Sequence, residues 1–189
     1  MAAEGVFGFL RAVDDELVRQ ADEGETLDLY LIGRSALILG YGLRLMTKDV
    51  DVVETTGSRL FTLAIEEFKK GSARHAGHGF YLEAVSSGLP PLPIGFEKQC
   101  VPVPGPWRVI RPMRPEANDL VVTKLKRFHA GDREDVQMLC DTGEVEIGTL
   151  RERFDLAHLF SDMDDPRVKA ALANLDTVAE YLEGRRQAL

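Results

Sequence analysis

Cysteine is nearly absent from this chain. There are two in 189 residues, Cys100 and Cys140, and neither stands at a metal-ligand spacing. A disulfide scaffold and a cysteine zinc site are both excluded on that count. Long apolar runs are missing as well, since no segment approaches the roughly 18 apolar residues that a bilayer span requires. The opening MAAEGVFGFLRAVDDE turns acidic early and holds no extended apolar stretch, so a secretory signal is not expected. Positive charge is in deficit: 23 Lys and Arg stand against 31 Asp and Glu, a formal net charge of −8. Such a surface does not coat nucleic acid or anionic membrane non-specifically. Internal repeats and low-complexity tracts are lacking too. What remains is an ordinary globular composition, 44% hydrophobic, which buries a normal core and excludes disorder. The expectation is a soluble, cytoplasmic protein with no membrane partner, built as one domain or one domain with a helical appendage.

The periodicities divide the chain into an α/β half, residues 1–112, and a helical half, residues 113–189. In VFGFLRAVDDELVRQAD, Phe9, Val13 and Leu17 recur every four residues, the mark of an amphipathic helix. GETLDLYLIG predicts a short buried strand ending at Gly33. RSALILGYG predicts a helix stopped by Gly40 and Gly42, and KDVDVVETT an alternating, valine-rich strand. SRLFTLAIEEFKKG reads as a helix and GFYLEAVSSG as a strand, with GSARHAGHG between them as a glycine-rich loop. Six prolines between Leu89 and Pro106 exclude helix there and predict a long loop with a short edge strand near EKQCVPV. WRVIRPM reads as a further short strand, and every segment after Pro115 is helical in character.

Charge is unevenly spread. Between Trp107 and Arg133 seven cations (Arg108, Arg111, Arg114, Lys124, Lys126, Arg127, Arg133) face three acids, whereas from Glu134 onward thirteen acids face six bases. A locally basic region on an acidic body suits a phosphate-bearing ligand, and chance clustering of surface charge produces the same pattern.

Two aspartates carry the first chemical signal. Asp49 and Asp51 lie two apart in a predicted strand, so both carboxylates leave the same face. Like charges so close raise each other's pKa unless a cation sits between them. Mg2+ is the usual one, because it prefers carboxylate, phosphate and water oxygens. Alone, the pair reads more readily as a solvated strand face, but the preceding turn shifts that balance. Gly33 ends a strand and Ser35 opens the next helix, where free N–H groups and the helix dipole favour an anion. Glycine lets a phosphate approach the backbone closely. A phosphate-binding helix start upstream of paired metal-binding carboxylates is what phosphoryl or nucleotidyl transfer needs. The plainer roles are a tight turn for Gly33 and a helix cap for Ser35.

G-R-S-A-L followed by R-L-M-T-K-D-V-D-V-V resembles the signature of the DNA polymerase β-like nucleotidyltransferase superfamily. There a Gly-[Gly/Ser] turn precedes Asp-x-Asp on the neighbouring strand. PEANDLVVTKLKRFHAGDREDVQML is similar to the second conserved segment of the small bacterial AbiEii-like nucleotidyltransferases, and the two segments occur in the family's order. The resemblance implies an α/β (α+β) nucleotidyltransferase fold: a small mixed β-sheet flanked by helices, followed by a helical C-terminal region completing the nucleotide cleft. It implies an NTP donor and two Mg2+ ions held by Asp49, Asp51 and a third carboxylate. Gly33 and Ser35 would contact the β- and γ-phosphates. Arg44 and Thr47 answer to the family's Arg and Thr ahead of the aspartates, with turn-building as the alternative. Arg34 stands where the family has Gly or Ser, and either points away, touches a phosphate or closes the turn.

For the third carboxylate the choice is Glu83, a charge in a strand apolar on both sides, with Glu97 second. Lys124 sits amid Leu120, Val121 and Phe128 on the apolar face of its helix, where an unpaired ammonium is costly, so it is read as a phosphate ligand with Arg127 at the edge of that face. Asp132 reads as a helix N-cap with Asp135 at its third position, or one of them as a site residue through contact with Lys124 or Arg127. His75 and His78 lack further ligands and do not suggest a metal. Trp107 suits the core better than a stacked base. The function these readings imply is Mg-dependent transfer of a nucleoside monophosphate from an NTP to a hydroxyl in RNA, protein or a small molecule. The AbiEii resemblance adds the toxin of a toxin–antitoxin pair, with an antitoxin protein as partner. The alternative is a catalytically inactive protein of the same fold that binds nucleotide or a partner.

Overall fold

In the computed structural model, which describes residues 2–86, 88 and 90–187, α1 (Ala2–Val18) buries Val6, Phe9, Leu10, Val13 and Leu17. That is the stripe a four-residue repeat produces on a helix. Next come β1 (Leu27–Tyr30), α2 (Gly33–Tyr41), β2 (Asp49–Val53), α3 (Arg59–Phe68), α4 (Ala73–His78) and β3 (Tyr81–Val85). A 3-10 turn at Phe96–Gln99 interrupts the proline-rich segment before β4 (Val101–Pro102) and β5 (Ile110–Arg114). Four helices follow: α5 (Ala117–Leu125), α6 (Ala130–Asp141), α7 (Ile147–Ala157) and α8 (Pro166–Gln187). Among the described residues no helix is long and apolar enough to cross a membrane.

The strands form a small mixed sheet flanked by helices. β1 runs parallel to β5, which pairs antiparallel with β4, and β2 runs parallel to β3. The two ladders meet at an antiparallel bridge between Leu31 and Val52, beside which the Ile32 N–H donates to the Asp51 carbonyl at 2.9 Å. In the β2–β3 register Asp49 lies opposite Tyr81 and Asp51 opposite Glu83. Strand alternation then sends Val50, Val52 and Leu82 into the core, and the acids with Tyr81 to the other face.

By contact the chain forms two compact units, Met1–Ser86 with Cys100–Pro115, and Ser87–Gln99 with Glu116–Leu189. Residues 87–99, which the sequence places in the α/β half, thus group with the helices, burying Phe96. GSARHAGHG is a helix rather than a loop: Ser72 caps α4 by accepting from the His75 N–H at 3.1 Å, and Gly79, at φ 71°, ends it. A good cap at one end and a left-handed glycine at the other outweigh the low helix propensity between them.

One buried charge in the first unit has no counterpart among the sequence expectations. The Asp14 carboxylate on α1 accepts from the backbone N–H groups of Arg108, Val109 and Ile110 at 3.0, 2.8 and 2.9 Å, pinning the start of β5. Asp14→Ala leaves those buried donors without an acceptor and is expected to lower the unfolding free energy by about 2 kcal/mol in urea titrations. In the second unit Cys140 is buried in α6. Burial first, then the neighbouring Asp141 charge, push its thiol up to about 11. A thiol reagent at neutral pH should therefore label half-buried Cys100 in the native protein and reach Cys140 only after denaturation.

Candidate functional site

The face shared by β2 and β3 gathers three carboxylates. Asp49, Asp51 and Glu83 each offer an oxygen lying within 4.8 Å of the other two. Asp49 and Asp51 are half-buried and Glu83 is exposed, so Glu83 is not the desolvated strand charge that the pattern GFYLEAV suggests. What distinguishes it is its place opposite Asp51. Three hard oxygen donors so close, with no cationic side chain paired to Glu83 among the described residues, fit a divalent cation of the Mg2+ type. Thr47 holds one of the three in place, its hydroxyl donating to the Asp49 carbonyl at 2.9 Å and to the Asp49 carboxylate. Tyr81 registers the local field: burial first, then the charges of Asp49, Glu83 and Asp51, push its phenol upward. Among the described residues no other group of three or more His, Cys, Asp or Glu is placed to hold a metal, His75 and His78 included.

Beside the carboxylates stands the start of α2. Gly33 has φ 63°, and a Cβ built there would collide with Asp51 Oδ2. Two independent constraints therefore demand glycine at this position: the left-handed backbone and the carboxylate against it. No side chain caps α2, whose N-cap residue is Ile32. Ser35 is not a cap. It lies buried at the third helical position, and its hydroxyl donates to the Ile32 carbonyl at 2.9 Å. Arg34, half-buried, is the second residue of α2, and Arg44 is exposed between α2 and β2.

Lys124, Arg127, Asp132 and Asp135 come together in the helical unit. Lys124, 8% exposed, pairs with Asp135 at 2.7 Å and lies 3.7 Å from Asp132. Arg127 donates to both Asp132 oxygens, at 3.0 and 3.1 Å. Burial works against the Asp132 charge, but the Arg127 hydrogen bonds and the Lys124 and Arg127 charges outweigh it and hold the carboxyl below its ordinary value. Asp132 is not the N-cap of α6. His129 occupies that position, and Asp132, at the third helical residue, accepts from its N–H at 3.2 Å. The helix begins earlier than the sequence indicates: Phe128, at φ 44°, lies between the end of α5 and the N-cap His129 and turns the chain straight into α6. Asp135 consequently serves Lys124 and not the helix start. Glu97, the second choice for a third carboxylate, lies in the 3-10 turn of this same unit.

Several cations of the stretch between Trp107 and Arg133 have partners within their own unit. Arg108 pairs with Asp15, Arg111 with Asp28 at 2.6 Å, and Arg114 lies 4.3 Å over the Tyr41 ring. Arg133 donates to the Phe128 carbonyl at 3.1 Å. Trp107 is a packing residue, its indole N–H donating to the Val103 carbonyl at 2.8 Å and its ring 4.9 Å from Phe7. A buried pair that the sequence left unread also braces the helices: Asp119, fully buried, receives Arg153 at 2.5 and 2.8 Å.

A family model described as "Nucleotidyltransferase of unknown function (DUF6036)" matches residues 9–183. No curated protein and no solved structure matches the chain.

Proposed function

Because the chain belongs to the nucleotidyltransferases of unknown function whose model spans residues 9–183, we propose that it moves a nucleoside monophosphate from an NTP to a hydroxyl acceptor in a Mg2+-dependent reaction. The observation that carries this is the grouping of Asp49, Asp51 and Glu83 beside the side-chain-uncapped start of α2, with Gly33 directly against Asp51. Asp49, Asp51 and Glu83 would hold the metal. When bound, two Mg2+ ions supply charge neutralisation at the triphosphate and polarise its α-phosphorus. The backbone N–H groups from Gly33 onward receive the β- and γ-phosphates, helped by the positive end of the α2 dipole. Thr47 keeps Asp49 aligned. Glu83, exposed at the rim, accepts the proton of the attacking hydroxyl as its oxygen bonds to the α-phosphorus and the bond to pyrophosphate breaks.

Lys124 and Arg127 enter this reading as the ionic core of the helical unit. A triphosphate reaching Lys124 would have to displace Asp135 at 2.7 Å in a buried setting, and removing one partner of a buried pair is costly. RNA, protein and small molecules all supply acceptor hydroxyls, and the AbiEii-like resemblance of residues 115–139 extends the reading to a toxin held by an antitoxin protein. A second reading, binding without turnover, is favoured by Arg34 at the second position of α2.

Calorimetric titration with each NTP, with and without Mg2+, tests the site. At least one NTP should bind about tenfold tighter with the metal, and in Asp51→Asn that difference should vanish. Failure of the native chain to bind any NTP would sink the proposal. Mg2+-dependent binding with no pyrophosphate release across an acceptor panel would favour the second reading.

A further inference from the structure

We propose that the acceptor enters over Tyr81 and that Lys70 and His75 hold a phosphate carried by the same molecule as its hydroxyl. This rests on the nucleotidyl-transfer reading above. The groups along the β2–β3 face stand in a fixed order. Gly33 and the start of α2 lie against Asp51, at one end of the carboxylate trio. Asp51 faces Glu83, and Asp49, two residues back along the strand, faces Tyr81 at the other end. In-line displacement puts the leaving group and the attacking oxygen on opposite sides of the α-phosphorus. With pyrophosphate leaving at the Gly33 end, the hydroxyl must arrive from the Tyr81 end.

The chemistry at that end differs from the rest of the site. The Lys70 ammonium lies 5.5 Å from the Tyr81 ring centroid, and among the described residues no carboxylate pairs with it. His75 meets the same ring edge-on, 5.2 Å between centroids. Its Nδ1 accepts from the Gly71 N–H at 3.1 Å, so the proton of the neutral ring resides on Nε2, leaving an N–H donor. Residues 69–78 carry three Lys or Arg, two His and no acid, on a chain of net charge −8. Lys69 is taken by Glu66 and Arg74 by Glu16, which leaves Lys70 and His75 for a ligand. A phosphate approaching the bound triphosphate is repelled, and a cation with an N–H donor at the entrance offsets that repulsion. An uncharged hydroxyl would need neither.

The acceptor class is thus a hydroxyl compound with a nearby phosphate, as in the end of a single-stranded RNA or a free nucleotide or sugar phosphate. In the reaction the acceptor oxygen bonds to the α-phosphorus, the bond from that phosphorus to the pyrophosphate oxygen breaks, and the hydroxyl proton passes to the carboxylate of the trio within reach of that oxygen.

The test is calorimetric binding to the full chain of a short single-stranded RNA, adenosine 5′-monophosphate and ribose 5-phosphate, beside adenosine, ribose and a serine- and tyrosine-containing peptide. NTP binding with Mg2+ is measured on the same samples. Phosphate-bearing probes should bind about tenfold tighter than their phosphate-free counterparts. Lys70→Ala and His75→Gln should erase most of that preference while NTP affinity stays within about twofold of native, since neither residue is at the Gly33 end. The tightest phosphate-bearing probe identifies the source, strand end or free metabolite. Intact NTP binding with phosphate-blind acceptor binding, with no response to either variant, or with the peptide preferred would overturn this inference alone. Loss of all NTP binding by the native chain would overturn the parent reading with it.

Discussion

Gly33→Ala is expected to weaken Mg2+-dependent NTP binding by about 100-fold, the scale of loss that a displacement of roughly 1 Å in a reacting geometry brings. The added methyl group meets Asp51 Oδ2 directly. Either the carboxylate moves out of the trio, or the turn opens and the first N–H groups of α2 lose their aim. Gly42 provides an internal control on the same helix. It has φ 66°, nearly that of Gly33, yet a Cβ there meets nothing within 4 Å. Gly42→Ala therefore carries the same left-handed backbone strain, about 1–2 kcal/mol, without touching Asp51. Calorimetry should find its nucleotide affinity close to native. Equal losses in both variants would mean that strain in α2, and not the contact with Asp51, governs binding.

Lys124→Met is expected to be the most destabilising single change in the helical unit, lowering the unfolding free energy by about 3–5 kcal/mol in urea titrations. It leaves Asp135, 2% exposed, as a buried carboxylate without its 2.7 Å partner, and removes a positive charge from beside Asp132. The double variant Lys124→Met with Asp135→Leu should recover much of the loss, because an apolar pair of similar volume no longer buries a carboxylate that has lost its ammonium. The same cluster gives the unit an acid limit. The folded-state pKa of Asp132 is depressed, so its contribution is fully present above the ordinary aspartate value of about 3.9 and is lost as the pH falls through the folded value. Burial, only partly offset by Arg153, instead raises Asp119, so that residue's contribution grows as the pH falls. Urea midpoints measured between neutral pH and about pH 3 should fall less steeply in Asp132→Asn than in the native chain.

The candidate site was legible because its signals are local. Strand alternation alone aligns Asp49 with Asp51, and a glycine between a strand and a helix has few uses other than a left-handed turn. Tyr81 shared its strand face with Glu83 in the sequence pattern, but nothing there placed it opposite Asp49. Lys124 is an anomaly visible in the sequence, a charge on an apolar helix face, and its contact with Asp135 is one of those that the sequence pattern offered beside a phosphate. Its counterion is eleven residues away across a helix–helix junction, and the abrupt turn at Phe128 that brings them together leaves no mark in hydrophobic periodicity. Asp14 is a similar case: its three backbone donors lie more than ninety residues away.

By itself, then, the sequence determined the elements and one constellation, because spacings of two, three and four residues map directly onto faces of strands and helices. It settled that Asp49 and Asp51 share a face, that Gly33 turns the chain, and that the chain passes from α/β to helical structure. Tertiary structure alone decided which charges neutralise one another, the register that sets Glu83, the sequence's choice of third carboxylate, opposite Asp51, and that Gly33 abuts Asp51. Strand register and helix packing bring together residues that are distant along the chain, and the energy of a buried charge depends on those neighbours and not on the residue's own place in the sequence.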